Sequence, residues 1–448
     1  MEKQTGAPDT APAYQLPEGW PAASLDAIKQ ALCAPGARFE METVEIRGVP
    51  TRVWKNALPS LPDLARHARA THPDRLFTIY EDERVTYDAW FRATATLAAE
   101  LARRGVKPGD RVALSMRNLP EWPVAFFAIT SIGAIAVPLN AWWTGAELAY
   151  GLSDSGARAL ICDAERWERI APVMSELPGL ETVLVSRAKT PLAAPARRLE
   201  DVIGAPSGYG TLGDTDLPSM GLEPDTYATI FYTSGTTGHP KGALGTHRNI
   251  LTNIFSSAYS GARTLARRGE VPPDPVPKTM LTVIPLFHVT ACNAALMGAI
   301  FAGNTMVFMR KWDPVDAFRI IEREKVNVTG GVPTIAWQLI EHPDREKYDL
   351  SSLESIAYGG APSAPDLVRK IRSVFGALPG NGWGMTETSA TVTHHASEDY
   401  LNRPDSCGTP VAVSDIKIMS PDGTQELPVG EVGELWARGP QIVAGYWN

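Results

Sequence analysis

Cysteine is scarce. The four residues Cys33, Cys162, Cys292 and Cys407 lie far apart with no CxxC pair, which argues against both a disulfide framework and a cysteine zinc site. Scattered thiols suit a reducing compartment, and a cytoplasmic location is expected. Basic runs are lacking too: 42 Lys and Arg stand against 50 Asp and Glu, for a formal net charge of −8. Without a basic stripe the many phosphates of a nucleic acid cannot be neutralised, so nucleic acid is not an expected partner. An anionic small ligand stays open, because a local nest of N–H donors can outweigh the global field. There is no clean apolar run of membrane-spanning length. The nearest, residues 122–137, is interrupted by Gly133 and punctuated by Pro123 and Pro138, and it reads as a core helix followed by a core strand. The first residues carry Glu2 and Asp9 and no apolar centre; they are no secretory signal and are expected to be a frayed tail. His394, His395 and Glu398 lack HExxH spacing, and Asn327 heads a sequon by pattern only.

What is present is a large core. Hydrophobic residues make up 44% of the 448 and charged ones 21%, enough for about three lobes at roughly 150 residues each. From residue 51 to 188 strands and helices alternate, which predicts a largely parallel sheet covered by helices. Residues 76–87 read as a hairpin, with Thr86 capping a helix that stops at Gly105. Residues 189–225, rich in Pro, Gly, Ala and Ser, read as a linker. Alternation resumes over 226–407, where Asp313 and Pro314 mark one helix start and Ser363 with Pro365 another. From 408 to 448 only short strands and turns are signalled, a small β-barrel-like subdomain. The expected fold is therefore α/β, with two packed subdomains, an extension over residues 1–50 that is partly disordered, and the small β unit. Nothing in the sequence fixes the oligomeric state, and a homo-oligomer is left open.

The strongest chemical signal is residues 232–242, YTSGTTGHPKG, which follow a strand and hold three glycines, four Ser/Thr hydroxyls and Lys241. Glycines let backbone N–H groups approach phosphate oxygens, and hydroxyls and a lysine add donors and charge. The string is not a P-loop, because Pro240 stands where that motif needs glycine before the lysine. A P-loop kinase or ATPase is thereby disfavoured.

This string resembles the signature of the adenylate-forming superfamily, which includes acyl- and aryl-CoA synthetases, firefly-type luciferases and peptide-synthetase adenylation domains. Other segments resemble it as well: residues 381–388, NGWGMTET; Tyr358 to Pro362, YGGAP; Pro285 to His288, PLFH; and Gly330 to Thr334, GGVPT. The resemblance implies that ATP is held by Thr233, Ser234, Gly235, Thr236, Thr237, Gly238 and Lys241, by Gly359, Gly360, Ala361 and Pro362, and by Asn381, Gly382, Trp383, Gly384, Met385 and Thr386. Trp383 would pack on adenine and Thr386 would meet the α-phosphate. Glu387, with Thr237, would hold Mg2+. His288, Gly330, Gly331, Val332 and Pro333 would line the acid pocket. Lys241, His288, Thr386 and Glu387 would carry the chemistry.

The same resemblance implies a reaction: a carboxylic acid attacks ATP to give acyl-AMP and pyrophosphate, and coenzyme A then takes the acyl group. Small residues at Gly330, Gly331 and Ala361 suggest room for a sizeable apolar acid, medium- or long-chain fatty or aryl. The chain stops at Asn448, within a recognisable family segment. The hinge, the ribose-binding aspartate and a C-terminal lysine are not in it. An N-terminal piece of such an enzyme, deficient in full turnover, is expected. The alternatives are an acyl-AMP ligase serving a carrier protein and a catalytically silent nucleotide- or acid-binding module.

Overall fold

The computed structural model describes residues 16–233, 238–271, 274, 276–361 and 363–448. Two sheets lie within one α/β body. The first has eight strands, in the order 445–446, Gly242–Thr246, Tyr227–Tyr232, Ile135–Pro138, Arg111–Ser115, Ala159–Asp163, Thr182–Ser186 and Ala196–Arg198. It is parallel from Tyr227–Tyr232 onward, and antiparallel at the Gly242–Thr246 and 445–446 end. The second has nine strands, in the order Thr409–Pro410, Thr393–Ala396, Leu378–Trp383, Ser355–Gly359, Val328–Gly331, Thr279–Thr282, Thr305–Phe308, Leu76–Tyr80 and Glu83–Thr86. Its centre is parallel and its two ends are antiparallel.

Strand alternation sorts the side chains into three cores. Val112 and Leu114 of the first sheet join Phe77, Met306 and Phe308 of the second in a central core with the helices between them. Ala113, Leu160 and Val183 face the opposite way, into an outer core with the helix Gly145–Ser155. Ile79, Leu281, Val307 and Ile356 face the other outer core, with the helices Pro314–Glu324, Pro333–Glu341 and Pro365–Phe375. Period-2 burial on both faces is what a sheet between helical layers requires. The helix Glu121–Ser131 is buried at every position because it sits in the central layer. Among the described residues no helix is long and apolar enough to cross a membrane.

Local caps follow the sequence in part. Thr86 Oγ1 accepts from Ala89 N–H, and Asp313 accepts from Asp316 N–H, each at its helix start. Ser363 does not cap: Ala364 holds the N-cap position, and Ser363 Oγ instead donates to the Tyr358 phenol at 3.1 Å. The helix His247–Arg267, the longest among the described residues, buries an apolar stripe of Ile250, Leu251, Ile254, Phe255, Tyr259 and Ala262. Its inward face includes Asn249, Asn253, Ser256 and Ser260, all buried. Thr246 and Asn249 close a reciprocal capping box at its start.

Sheet membership does not follow chain segments. Leu76–Tyr80 and Glu83–Thr86 pair into the second sheet, while Tyr227–Tyr232 and Gly242–Thr246 pair into the first. Within 189–225, Ala196–Arg198 adds the outermost strand of the first sheet. Residues 16–50 contribute the helix Leu25–Leu32 and the strand Met41–Ile46, which pairs with Val49–Trp54. Beyond residue 408, Asp415–Met419 and Glu434–Arg438 form a two-stranded antiparallel ribbon.

Candidate functional site

Parallel sheets present their functional edge at the carboxyl ends of the strands, and the candidate residues collect there. In the second sheet Gly331 pairs with Tyr358, Tyr358 with Asn381 and Gly359 with Gly382. Residues 330–333, 358–361 and 381–387 thus leave neighbouring strands at one edge. The strand Thr279–Thr282, next in order, leads to His288. Ser234, Gly235, Thr236, Thr237 and Pro362 lie outside the described residues.

The glycines at this edge answer to packing. A Cβ at Gly330 would lie 1.9 Å from the Ala357 carbonyl oxygen, and one at Gly384 would lie 1.4 Å from that of Ala390. At Gly331 a Cβ would lie 2.7 Å from Ile335 Cδ1. Backbone approach accounts for Gly330 and Gly384, and the Ile335 side chain for Gly331, without invoking a ligand.

The glycine-rich loop leaves the first sheet after Tyr232. Its neck is closed by Thr233 N–H donating to the Lys241 carbonyl at 2.9 Å. The helix Gly145–Ser155 holds it from one side: Tyr150 Oη donates to the Pro240 carbonyl at 3.0 Å, and its ring stacks on His239 at 4.7 Å. Tyr232 Oη donates to Asp154 Oδ2 at 2.6 Å, and burial drives its phenol pKa far above the ordinary value. Lys241 is exposed, with Nζ 5.4 Å from the centre of the Tyr446 ring.

Glu387 sits in the 3-10 turn Thr386–Thr388. Ser389 and Ala390 follow at φ 50° and 108°, a left-handed excursion that non-glycine residues keep only when neighbours hold them. Asn253 does so, donating to the Ser389 carbonyl at 2.8 Å and accepting from Thr391 N–H at 3.1 Å. Asn293 adds a second donor to Ser389. The C-terminal stretch then crosses over: Val443 N–H donates to the Glu387 carbonyl at 3.0 Å, and Tyr446 Oη donates to Glu387 Oε1 at 2.7 Å. That hydrogen bond is the first cause of the raised Tyr446 pKa. Lys241 and Glu387, from different sheets, therefore meet the same tyrosine.

His288 lies at the start of a π-helical stretch, Thr290–Leu296, a distortion often found near functional sites. Loss of hydration lowers its pKa, so the ring is neutral at pH 7. Phe287 packs on it at 4.8 Å and Trp142 packs on Phe287 at 5.3 Å. Asn118 fixes the segment by donating to the Ile284 carbonyl and accepting from Leu286 N–H.

Among the described residues no group of three or more His, Cys, Asp or Glu could hold a metal ion. Glu387 Oε2 has no partner among the described residues, and one such carboxylate is the donor set that suits Mg2+ shared with phosphate oxygens. A 280 Å³ pocket beside Arg52, Asp415 and Arg438 includes none of the candidate residues. Tyr150, Asp154, Asn253 and Tyr446 escaped the sequence reading. The spacing of Asn249 and Asn253 on one helical face was the one available signal.

Comparison with known proteins places these features in context. The family model for AMP-binding enzymes matches residues 64–447. A 4-coumarate–CoA ligase of Petroselinum crispum is 29% identical over 370 residues, covering 82% of this chain and 64% of that protein. A feruloyl-CoA synthase of Amycolatopsis is 31% identical, covering 81% and 67%. The crystal structure of a long-chain-fatty-acid–CoA ligase from Archaeoglobus fulgidus superposes with a TM-score of 0.74 at 26% identity, covering 87% of this chain and 76% of that one.

Proposed function

This chain belongs to the AMP-binding enzyme family, and from that premise we propose that it activates a carboxylic acid as an acyl-adenylate for thioester formation with coenzyme A. The observation that carries the proposal is the convergence of Lys241 and Glu387 on Tyr446 at the mouth of the glycine-rich loop. A cation and a carboxylate beside a donor-rich loop suit a polyphosphate and its metal. The chain spans 64% of the length of the 4-coumarate–CoA ligase, so the proposal concerns the part of the reaction that these residues serve.

In this account a carboxylate oxygen of the acid attacks the α-phosphorus, the bond to the bridging oxygen of the β-phosphate breaks, and pyrophosphate leaves with the electron pair. Lys241 neutralises charge on the departing side, and Thr386 donates to the α-phosphate. Bound Mg2+, held by Glu387 with Thr237 in support, would neutralise phosphate charge. His288, neutral because it is desolvated, orients the acid and need not take a proton, since a carboxylic acid is already ionised at pH 7. Trp383 and the backbone of residues 359–361 take the adenine face. Alignment and charge neutralisation carry most of the acceleration in such transfers.

The acid is proposed to be apolar, fatty or aryl. The hydroxycinnamate and long-chain fatty acid named for the relatives support that class, as does the Trp142–Phe287–His288 aromatic series. Incubation with ATP-Mg and a panel of aryl, fatty and amino acids, with mass detection of acyl-AMP, tests the assignment. Acyl-AMP from an apolar acid with release of pyrophosphate is expected. Conversion of ATP to ADP and phosphate would contradict it, and ATP binding without adenylate from any acid would favour a silent binding module.

A further inference from the structure

Lys241 and Glu387 carry opposite charges at one exposed mouth, yet neither makes an ion pair among the described residues. Between them stands Tyr446. Its Oη donates to Glu387 Oε1 at 2.7 Å, and its ring centre lies 5.4 Å from Lys241 Nζ. We propose that Tyr446 is a positioning residue that keeps Lys241 and Glu387 from pairing with each other, so that nucleotide phosphate and metal enter a site whose two charges are already apart.

The placement of the ring is built into the fold. Residues 445–446 form the edge strand of the first sheet, with Tyr446 opposite Ala243, two residues beyond Lys241. Ala444 N–H donates to the Leu244 carbonyl at 2.8 Å and Trp447 N–H to the Gly242 carbonyl at 2.7 Å, bracketing the tyrosine. Trp447 Nε1 anchors the end of the strand to the Asp154 carbonyl at 3.2 Å. On the other side, Val443 N–H to the Glu387 carbonyl ties the same strand to the Glu387 turn. The backbone thus fixes where the phenol stands, and its two faces of chemistry do the rest. The hydroxyl satisfies a carboxylate by hydrogen bonding, and the ring attracts an ammonium through its π face. A phenol is neutral, so it neither repels phosphate nor replaces the metal's charge. A direct Lys241–Glu387 pair would cancel both charges and would have to break before either ligand bound.

This role presupposes the ATP-site assignment above, and the experiment separates the two. ATP binding is measured by titration calorimetry on the chain and on Tyr446→Phe, Tyr446→Ala and the double variant Tyr446→Ala/Glu387→Gln, without Mg2+ and across a Mg2+ series. Thermal unfolding confirms that each variant is folded. Tyr446→Ala is expected to weaken metal-free ATP binding and to raise the half-saturating Mg2+ concentration, each by about tenfold. Adding Glu387→Gln should restore the metal-free affinity, because the carboxylate that captures Lys241 is gone. Tyr446→Phe, which keeps the spacer, should raise the Mg2+ requirement only and leave metal-free affinity unchanged. A merely structural tyrosine would not give this split. If the parent chain binds ATP and Tyr446→Ala matches it, or if Glu387→Gln fails to restore affinity, the spacer role is overturned while the site assignment stands. If the parent chain binds no ATP with or without Mg2+, the assignment falls and this inference with it.

Discussion

Asn253, in the middle of the helix His247–Arg267, donates through Nδ2 to the Ser389 carbonyl at 2.8 Å and so holds the turn that presents Glu387. Its Oδ1 accepts from Thr391 N–H, and the side chain is buried. Asn253→Ala leaves Thr391 N–H without its acceptor and the Ser389 carbonyl with only the longer Asn293 bond, a cost of about 1–3 kcal/mol. Thermal unfolding should show the loss. ATP-Mg affinity should fall further than the stability change alone explains, because the Ser389 and Ala390 conformation is no longer enforced. An unchanged melting temperature would contradict the assigned contacts.

Glycine positions separate packing from ornament. Gly330→Ala places a Cβ 1.9 Å from the Ala357 carbonyl oxygen, a backbone clash that only strand separation relieves, and destabilisation of at least about 3 kcal/mol is expected. Gly298, in the helix Met297–Ala302, has nothing within 4 Å of its added Cβ, so Gly298→Ala should be neutral or stabilising by up to about 1 kcal/mol. Denaturant unfolding of the pair checks the contrast.

Two histidines, the buried His247 and the half-buried His394, set a pH dependence. Burial lowers the pKa of His247 and His394 from 6.5 to about 4 each. Well above pH 6.5 both are neutral whether folded or not. As pH falls toward 4 the unfolded chain takes up protons that the folded one refuses, so stability drops by up to about 1.4 kcal/mol per pH unit per histidine, then levels off. His247 Nδ1 accepts from Leu61 N–H, and its Nε2 has no partner among the described residues. His247→Asn keeps an acceptor and removes the titration, so the slope of stability between pH 6.5 and 4 should shrink. An unaltered slope would show that other groups set it.

Much of this was legible where the determinants are local. The hairpin Leu76–Tyr80 with Glu83–Thr86 and the cap at Thr86 depend on residues a few positions apart, and the sequence announces them. The strand-then-glycine strings ending at Gly331 and Gly359 were readable as loops at strand ends, whereas the strand Leu378–Trp383 was not, since Pro379, Gly380 and Gly382 mask it. The partition of strands between sheets was not, because Leu76–Tyr80 finds its partner at Thr305–Phe308 through pairing that no local pattern encodes. The inward asparagines of the helix His247–Arg267, Asn249 and Asn253, bind the backbone around residues 389–391 and 440–442, partners too far along the chain for any local pattern to announce. Gly330 carries a similar lesson: smallness suggested room for an acid, whereas the Ala357 carbonyl already occupies the space beside it. Tyr446 stands in a recognisable family segment, but its role did not show, since it lies in two contacts with residues distant in the chain.

Lys241 and Glu387 are proposed to belong to one ATP-metal site. Calorimetric ATP binding to the chain, Lys241→Ala and Glu387→Gln, each with and without Mg2+, tests it most directly. The account predicts that Lys241→Ala weakens binding by roughly tenfold or more in both conditions, as loss of a charge-assisted contact of about 1.5–3 kcal/mol requires. It predicts that Glu387→Gln weakens binding only when Mg2+ is present. Equal ATP affinity for all three proteins in the presence of Mg2+ would contradict it.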